Sequence, residues 1–277
     1  MAVCKLCGSE RAIEYRQVIS PVNSLEYTFF RCKKCKSGFF IADEHPVNLQ
    51  ETYESFVTRA DFPLEFVPSI KWQKEKLRVE KYLKHDLTSI LDVGCRTGDF
   101  LMHFPDTISR EGVELSSKFH SKADKRGLKV YNDFLEKISF TKSYDVVTCY
   151  AILEHLEYPL IFFDSLTSLV NKDGLLIIMI PTFQSLKEKI LNILNKPWHM
   201  FSPPEHLNFY SRKFLDSYLK KNGFEKVFRV YSSGGMQFFN SGILSEIEKY
   251  LTVLIDKSFL SKLPIFDHMY SYYVNKQ

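Results

Sequence analysis

The sequence lacks long apolar runs and blocks of like charge. Its longest uninterrupted apolar run, residues 175–180, is far too short to cross a bilayer, and the amino terminus has no basic-then-apolar signal pattern. The formal net charge is only +4, with basic and acidic residues interspersed, which disfavours an extended nucleic-acid-binding field. These absences predict a cytoplasmic protein without a transmembrane segment, acting on a small molecule in preference to nucleic acid.

The dinucleotide fingerprint G-x-G-x-x-G is also missing, which argues against an NAD-dependent enzyme. What the chain does contain is an alternation, from Ser89 onward, of short apolar runs with helical patterns, and this is typical of βα units around a mainly parallel sheet. The predicted strands are 89–93, 110–114, 129–131, 145–150 and 175–180, followed by 226–231 and 269–274. Helices are predicted at 70–83, 116–126, 160–170, 184–194 and 212–221, with a turn at 171–174 ending the third.

Three regions follow from these patterns. Residues 1–42 form a small module with paired cysteines, residues 43–87 a helical connector, and residues 88–277 the main α/β domain. An amphipathic helix is predicted at 243–254, within an apolar tail that reaches residue 260. Such a stripe favours a core or homodimer contact over a membrane-surface helix.

The segment Asp92 to Gly98, reading DVGCRTG, lies between a strand and a helix, where α/β proteins bind ligands. A carboxylate directly before such a glycine loop suits the ammonium group of an amino-acid-bearing cofactor better than a pyrophosphate. Glu114 ends the next strand, where a carboxylate can receive both ribose hydroxyls of an adenosine. Asp133, just past the third strand, is then placed to receive the adenine amino group.

These residues resemble those of the class I S-adenosylmethionine (SAM) dependent methyltransferases. The resemblance rests on Asp92, Gly94, Gly98, Glu114, Asp133 and the stretch 144–155, reading YDVVTCYAILEH. It implies a Rossmann-like, seven-stranded sheet with helices on both faces. It also implies that the glycine loop holds the methionyl part of SAM, that Glu114 holds the ribose, and that the loop containing Asp133 lines the adenine.

Arg96 departs from this family, which usually has a glycine at that position. A long side chain there must point away from the cofactor or crowd it. One alternative hypothesis is therefore a non-catalytic interaction protein with the SAM-binding fold, to which the apolar tail would contribute.

Four of the six cysteines form two C-x2-C pairs, Cys4 with Cys7 and Cys32 with Cys35. This spacing predicts a tetrahedral Zn2+ site, and four protein ligands leave no open position, so its role is structural. The alternatives are unbound cysteines packed locally, or a zinc knuckle that holds nucleic acid. Some sugar methyltransferases are similar in carrying a four-cysteine zinc module ahead of the SAM domain.

Two segments offer groups for activating a methyl acceptor. His155 follows the fourth predicted strand, and Glu205 and His206 end the segment WHMFSPPEH after the fifth. The Glu205–His206 pair resembles the acid/base pair of sugar C-methyltransferases, but Pro203 stands where those enzymes have tyrosine. We therefore predict O-methylation of a sugar, glycan precursor or similar small polar metabolite, with RNA methylation as the alternative. For His155, a hydrogen-bonded role in the cofactor wall stays open beside a direct one.

Overall fold

A computed structural model of the protein describes residues 2–41, 53–54, 66, 68–232 and 259–277. In chain order its strands are β1 (Ala12–Ile19), β2 (Glu26–Cys32), β3 (Gly38–Phe40), β4 (Ser89–Val93), β5 (Ser109–Val113), β6 (Lys129–Tyr131), β7 (Tyr144–Tyr150), β8 (Val170–Pro181), β9 (Asn208–Phe209), β10 (Phe224–Ser232) and β11 (His268–Asn275). The helices are α1 (Ile70–Tyr82), α2 (Ser117–Lys125), α3 (Pro159–Ser168), α4 (Leu186–Ile193) and α5 (Arg212–Lys221).

The larger sheet has seven strands in the order β10-β11-β8-β7-β4-β5-β6. Strands β4 to β8 run parallel, whereas β11 pairs antiparallel with both β8 and β10. Alternate residues of β4 enter two different hydrophobic clusters, one containing residues of α3 and α5 and the other residues of α1 and α2. The predicted Rossmann-like sheet with helices on both faces is thereby confirmed.

The turn predicted at 171–174 is wrong, because these residues begin strand β8. Helix α3 ends at Ser168, and the chain enters the sheet at Val170. A side chain at Gly174 would come within 2.9 Å of the carbonyl oxygens of Asn171 and Asp145. The glycine therefore serves a close backbone approach inside the strand and does not terminate a helix.

The smaller sheet has the strand order β1-β2-β3-β9, and all its pairings are antiparallel. Strand β9 comes from the segment after β8, so the cysteine module and the main domain share one sheet. An aromatic cluster packs against this small sheet. The Phe29 ring centre lies 4.9, 4.6 and 5.3 Å from those of Phe40, Phe201 and Phe209. The aromatic-rich sequence thus supplies a core that links the amino-terminal module to the loop after β8.

Helix α1 confirms the helix predicted at 70–83. Residues 43–52, 55–65 and 67 of the connector and the predicted helix at 243–254 lie outside the described residues. Within the part of the chain that is described, no helix is long and apolar enough to cross a membrane.

Candidate active site

A cavity of about 490 Å³ lies at the carboxyl ends of β4, β5 and β7. One part of its wall comes from the loops after β4, β5 and β6, and another from the turn after β7 and the segment before β9. The wall contains Asp92, Gly94, Arg96, Glu114, Asp133, His155, Glu205 and His206. All but one of the residues assigned to the cofactor and the acceptor therefore surround a single space.

Asp92 is buried at the end of β4, and only 4% of its surface is exposed. The Thr148 hydroxyl, directly opposite on β7, donates a 2.6 Å hydrogen bond to one Asp92 carboxylate oxygen. Burial nevertheless raises the pKa of Asp92 to about 7, an effect that the nearby Glu114 reinforces and that Thr148 and Lys71 only partly oppose. A cation placed in the cavity would stabilise the ionised form.

Gly94 and Gly98 both adopt left-handed backbone conformations, with φ of 78° and 77°. A side chain at Gly94 would meet Ile152 at 2.4 Å, and one at Gly98 would meet Leu128 at 2.1 Å. Gly94 lines the cavity, whereas Gly98 is the predicted cofactor residue outside its wall. The role that the structure indicates for Gly98 is to let the loop pack against Leu128.

Arg96 also has a left-handed backbone, with φ of 52°, in the conformation that favours glycine. Its backbone N–H donates a 2.9 Å hydrogen bond to Glu114. The guanidinium carbon lies 5.4 Å from the centre of the Phe119 ring, a cation–π contact with helix α2. The loop thus keeps the shape that a glycine would give, and the arginine is held at the cavity wall by Phe119.

Glu114 follows β5 and is almost completely buried. Its carboxylate accepts hydrogen bonds from the N–H groups of Arg96 and Ser116 and, at 3.0 Å, from the Tyr53 hydroxyl. Burial raises the pKa of Glu114, and these bonds oppose the shift. Three donors therefore fix the carboxylate, and one lone pair, on the oxygen that accepts from Arg96, remains for a ligand in the cavity.

Asp133 lies past β6 at the exposed rim of the cavity. One of its carboxylate oxygens accepts a 2.7 Å hydrogen bond from the N–H of Phe134. Phe134, Leu135 and Leu115 line the wall beside it. This combination of an apolar slot and an acidic edge suits a heteroaromatic ring with an amino group.

The other end of the cavity is formed by two histidines whose ring centres are 4.9 Å apart, His155 and His206. Nδ1 of His155 lies 2.6 Å from the Glu205 carbonyl oxygen, and Nδ1 of His206 lies 2.8 Å from that of Met200. Burial lowers the pKa of both rings, and that of His206, which also feels His155, falls to about 3. Both imidazoles are therefore neutral near pH 7, and each has Nε2 as its hydrogen-bond acceptor.

Behind this pair lies Glu154, which is only 2% exposed. Its Oε2 atom has no hydrogen-bond partner among the described residues, and burial raises the pKa of Glu154 to about 8. Ligand atoms of Glu154, His155 and His206 all lie within 4.8 Å of one another. The sequence does not single out Glu154, because tertiary packing is what leaves its Oε2 atom without a hydrogen-bond partner among the described residues.

Four hydrogen bonds join the turn after β7, residues 153–156, to the segment 205–210, and we call this set of contacts the β7–β9 junction. Besides the His155 contact, the Leu207 N–H donates to the Glu154 carbonyl at 2.7 Å and the Tyr210 hydroxyl to that of Leu153 at 2.7 Å. The Asn208 side chain donates to the carbonyl of Leu156. The segment that carries Glu205 and His206 is therefore fixed to the sheet end that carries His155.

The sequence predicted no role for two polar residues that hydrogen-bond the buried carboxylates, Thr148 and Tyr53. Thr148 orients Asp92, but only the register between β4 and β7 reveals this. Tyr53 reaches Glu114 from the connector, 61 positions away in the chain. Thr148 lies within the stretch 144–155, but no residue type there indicates a contact with Asp92, and Tyr53 belongs to no local motif.

The four amino-terminal cysteines come together as predicted, with their sulfur atoms within 4.8 Å of one another. Cys4 and Cys35, and likewise Cys7 and Cys32, have Sγ–Sγ distances of 3.7 Å. The two pairs are held by the same backbone pattern: the N–H groups of Gly8 and Lys36 donate to the carbonyls of Cys4 and Cys32, each at 2.9 Å. The cluster is thus built from two equivalent turns that present four thiols to one point.

With this geometry in place, the comparisons with known proteins define the class. A sequence model described as a methyltransferase domain matches residues 64–228, more than half of the chain. The chain belongs to this methyltransferase family. It has the fold of class I SAM-dependent methyltransferases.

Individual relatives are more distant. The chain is similar to a mitochondrial ubiquinone biosynthesis O-methyltransferase of Candida albicans, with 28% identity over 99 residues. That match covers 31% of this chain and 30% of the relative's length. The N-methyltransferase NodS of Bradyrhizobium japonicum WM9, solved with S-adenosylhomocysteine, has a TM-score of 0.51 at 11% identity, covering 83% of this chain and all of that chain. A SAM-dependent methyltransferase from Clostridium acetobutylicum also scores 0.51, at 13% identity and 82% and 100% coverage.

We expect the ionised carboxylate of the buried Asp92 to lower the stability of the ligand-free protein and, at the same time, to strengthen SAM binding. Its folded-state pKa of about 7 exceeds the unfolded value of 3.8, so the folded state binds more protons between these values and loses stability as pH rises through that window. Asp92→Asn should therefore raise the melting temperature of the ligand-free protein more at pH 8 than at pH 5, the removed penalty being up to about 4 kcal/mol. The same variant should bind SAM about 10- to 100-fold more weakly, because a charged hydrogen bond is lost.

Melting curves at the two pH values and calorimetry with SAM test both effects. Thr148→Val serves as a comparison that keeps the carboxylate and removes its hydrogen-bond donor. A lower melting temperature of Asp92→Asn at pH 8 would contradict the assignment of an ionisation penalty to this residue.

Arg96 can be tested with two substitutions at one backbone position. Arg96→Ala keeps a side chain in the left-handed conformation and loses the Phe119 contact, so we expect a stability loss of about 1 kcal/mol, which Arg96→Gly should largely recover. Both variants should bind SAM within about threefold of the wild type, because the backbone N–H and not the side chain bonds Glu114. Binding more than tenfold tighter in both would show instead that the arginine crowds the cofactor.

Proposed function

We propose that this enzyme methylates an oxygen atom of a sugar, a glycan precursor or a similar small polar metabolite. The observation that carries the proposal is the continuity of the cavity, which joins the Asp92 and Glu114 end to the His155 and His206 end. A donor held at the first end would direct its methyl group toward an acceptor at the second. Since methyl transfer from a sulfonium is a direct displacement, such alignment supplies most of the catalysis.

We assign the methionyl ammonium to Asp92, with Gly94 letting the cofactor approach the loop backbone. Glu114 would hold the ribose hydroxyls, and Asp133 the adenine amino group. Supporting these roles, the three carboxylates stand in chain order along one wall and two of them are buried beside the cavity. The sulfonium and ammonium charges would offset the cost of keeping Asp92 ionised there.

At the acceptor end, His155, Glu205 and His206 are the proposed catalytic residues. The neutral imidazoles can accept a hydrogen bond from an acceptor hydroxyl through Nε2, orienting its oxygen toward the methyl group. The Candida relative is by its name an O-methyltransferase, which favours oxygen as the methylated atom. The Bradyrhizobium neighbour is an N-methyltransferase, so the fold by itself is compatible with either atom.

We further propose that Cys4, Cys7, Cys32 and Cys35 hold a structural Zn2+. Four converging thiols on two equivalent turns fit a tetrahedral ion, and they leave no position for a substrate. The second turn is tied to the main domain, because the N–H of Ser211 donates to the Ser37 hydroxyl at 3.0 Å and the Ser211 hydroxyl donates to the Cys35 carbonyl. Zinc would thereby support the segment that carries His206.

The acceptor assignment is tested by following a labelled methyl group from SAM. Wild-type protein should label hydroxylated sugars or sugar nucleotides, and His206→Ala should slow transfer at least about 100-fold while SAM still binds. His85→Ala, which changes an exposed histidine, is the matched control and should keep full activity. Label that enters RNA and no small acceptor would favour the RNA hypothesis, and near-normal turnover of His206→Ala would remove this histidine from catalysis.

The zinc proposal predicts a defect that spreads from the module to the acceptor end. Cys32→Ser should lower the zinc content measured by native mass spectrometry, lower the melting temperature and raise the acceptor KM, while SAM affinity changes less than about threefold. Lys34→Ser, an exposed change within the same turn, should leave zinc and stability unaltered. Full stability of Cys32→Ser without zinc would contradict a structural metal.

A further inference from the structure

The cluster of Glu154, His155 and His206 contains three side chains of types that can bind metals, and the proposed acceptor chemistry does not use Glu154. Its carboxylate is buried, and its Oε2 atom lacks a partner among the described residues. A buried carboxylate oxygen without a donor costs free energy in the absence of a ligand. Among the described residues, the two imidazoles could share a cation with it, because each has a ring nitrogen within 4.8 Å of the carboxylate.

Both imidazoles are prepared as ligands by their other contacts. A carbonyl oxygen can only accept a hydrogen bond, so the contacts to Glu205 and Met200 require Nδ1 of each ring to carry the proton. The lone pair then lies on Nε2 of both rings. Histidines that bind metals commonly have their second nitrogen fixed in this way by a backbone carbonyl.

From this geometry we infer that Glu154, His155 and His206 form a binding site for a divalent first-row metal ion, separate from the cysteine site. Two imidazoles and one carboxylate suit Zn2+, Mn2+, Fe2+ or Co2+ better than Mg2+ or Ca2+, which prefer oxygen ligands. Bonds of about 2.1 Å require ligand atoms about 3.4 Å apart in a tetrahedral site, so a separation below 4.8 Å needs only small side-chain adjustments.

Three protein ligands leave at least one coordination position open. Because His155 and His206 line the cavity, this position faces the space assigned to the methyl acceptor. This site rests on the proposed function: the ion would occupy the Nε2 lone pairs, so the acceptor hydroxyl would bind the metal in place of a direct hydrogen bond to an imidazole, and its proton would pass more readily to water. Its oxygen then forms the C–O bond as the C–S bond of SAM breaks, and S-adenosylhomocysteine leaves.

The rigidity of the β7–β9 junction supports this assignment. The N–H of Leu207 donates to the Glu154 carbonyl at 2.7 Å, which ties the chain beside His206 directly to the backbone of another ligand. The Nδ1 contact of His155 reaches the same segment. The three ligands are therefore held by one hydrogen-bonded unit, although His206 is distant from the other two in sequence.

Manganese is the probe for the test, because it suits nitrogen and oxygen ligands, whereas thiolate sites select other metals. Full-length, zinc-loaded protein is titrated with Mn2+ while the signal of free Mn2+ is followed by electron paramagnetic resonance. Wild-type protein should bind one Mn2+ per chain, and Glu154→Gln, His155→Gln and His206→Gln should each weaken binding at least about tenfold. The exposed changes Glu225→Gln and His85→Gln are the matched controls and should bind as the wild type does.

Calorimetry with S-adenosylhomocysteine and thermal melting establish that each variant is folded. Absence of Mn2+ binding by the wild type, or unchanged binding by folded Glu154→Gln, would overturn the site. Loss of binding only when Cys32 is replaced would assign the ion to the cysteine cluster and overturn it equally. Since the titration needs no acceptor, a wrong acceptor class and a missing metal site give different results.

Discussion

The β7–β9 junction is the contact on which the rest of this architecture depends. Its hydrogen bonds connect the turn after β7 with the segment 205–210, which contains β9, and β9 pairs with β3 of the cysteine module. Without the junction, the acceptor end of the cavity would have one wall only. Through the junction, the position of His206 is fixed by the large sheet on one side and by the small sheet with its cysteine cluster on the other.

Burial of acidic groups is the second constraint. Asp92, Glu114 and Glu154 are all nearly inaccessible, and burial raises the pKa of each. Asp92 and Glu114 have donors, whereas Oε2 of Glu154 has none among the described residues. These carboxylates therefore favour cationic ligands, because a bound positive charge offsets the free-energy cost of keeping a buried carboxylate ionised. A sulfonium cofactor fits that environment, and a divalent metal would fit the Glu154 end.

The sequence predicted those parts of the site that are encoded locally. Asp92 and Gly94 could be found because they stand at the end of a strand with a clear apolar pattern, and Glu114 because it ends the next predicted strand. The cysteine pairs could also be found, because each is defined by a short spacing in the sequence. Thr148 and Tyr53 could not be found, because their roles depend on strand register and on a contact between distant segments.

The fold shows the same division. The bounds of the parallel strands were predicted within one or two residues, except that β8 begins earlier than expected. Gly174 looks like a helix stop in the sequence, but in the structure it allows a close backbone approach within β8. Strand β9 has only two residues and no detectable period, and pairing with β3 creates it. Tertiary contacts thus supply what is missing from the pattern, and they do so mainly around the acceptor end.

Arg96 shows how a substitution that seems to damage a motif can leave its geometry intact. Arg96 adopts a left-handed backbone, which glycine reaches without strain, at a cost of about 1 kcal/mol. The contact needed from this position is a hydrogen bond from the backbone N–H to Glu114, which any residue type except proline can make. The side chain meanwhile contacts Phe119 of α2, so part of the strain is offset by a cation–π contact. The loop therefore requires a left-handed backbone conformation at position 96, and in this chain an arginine provides it.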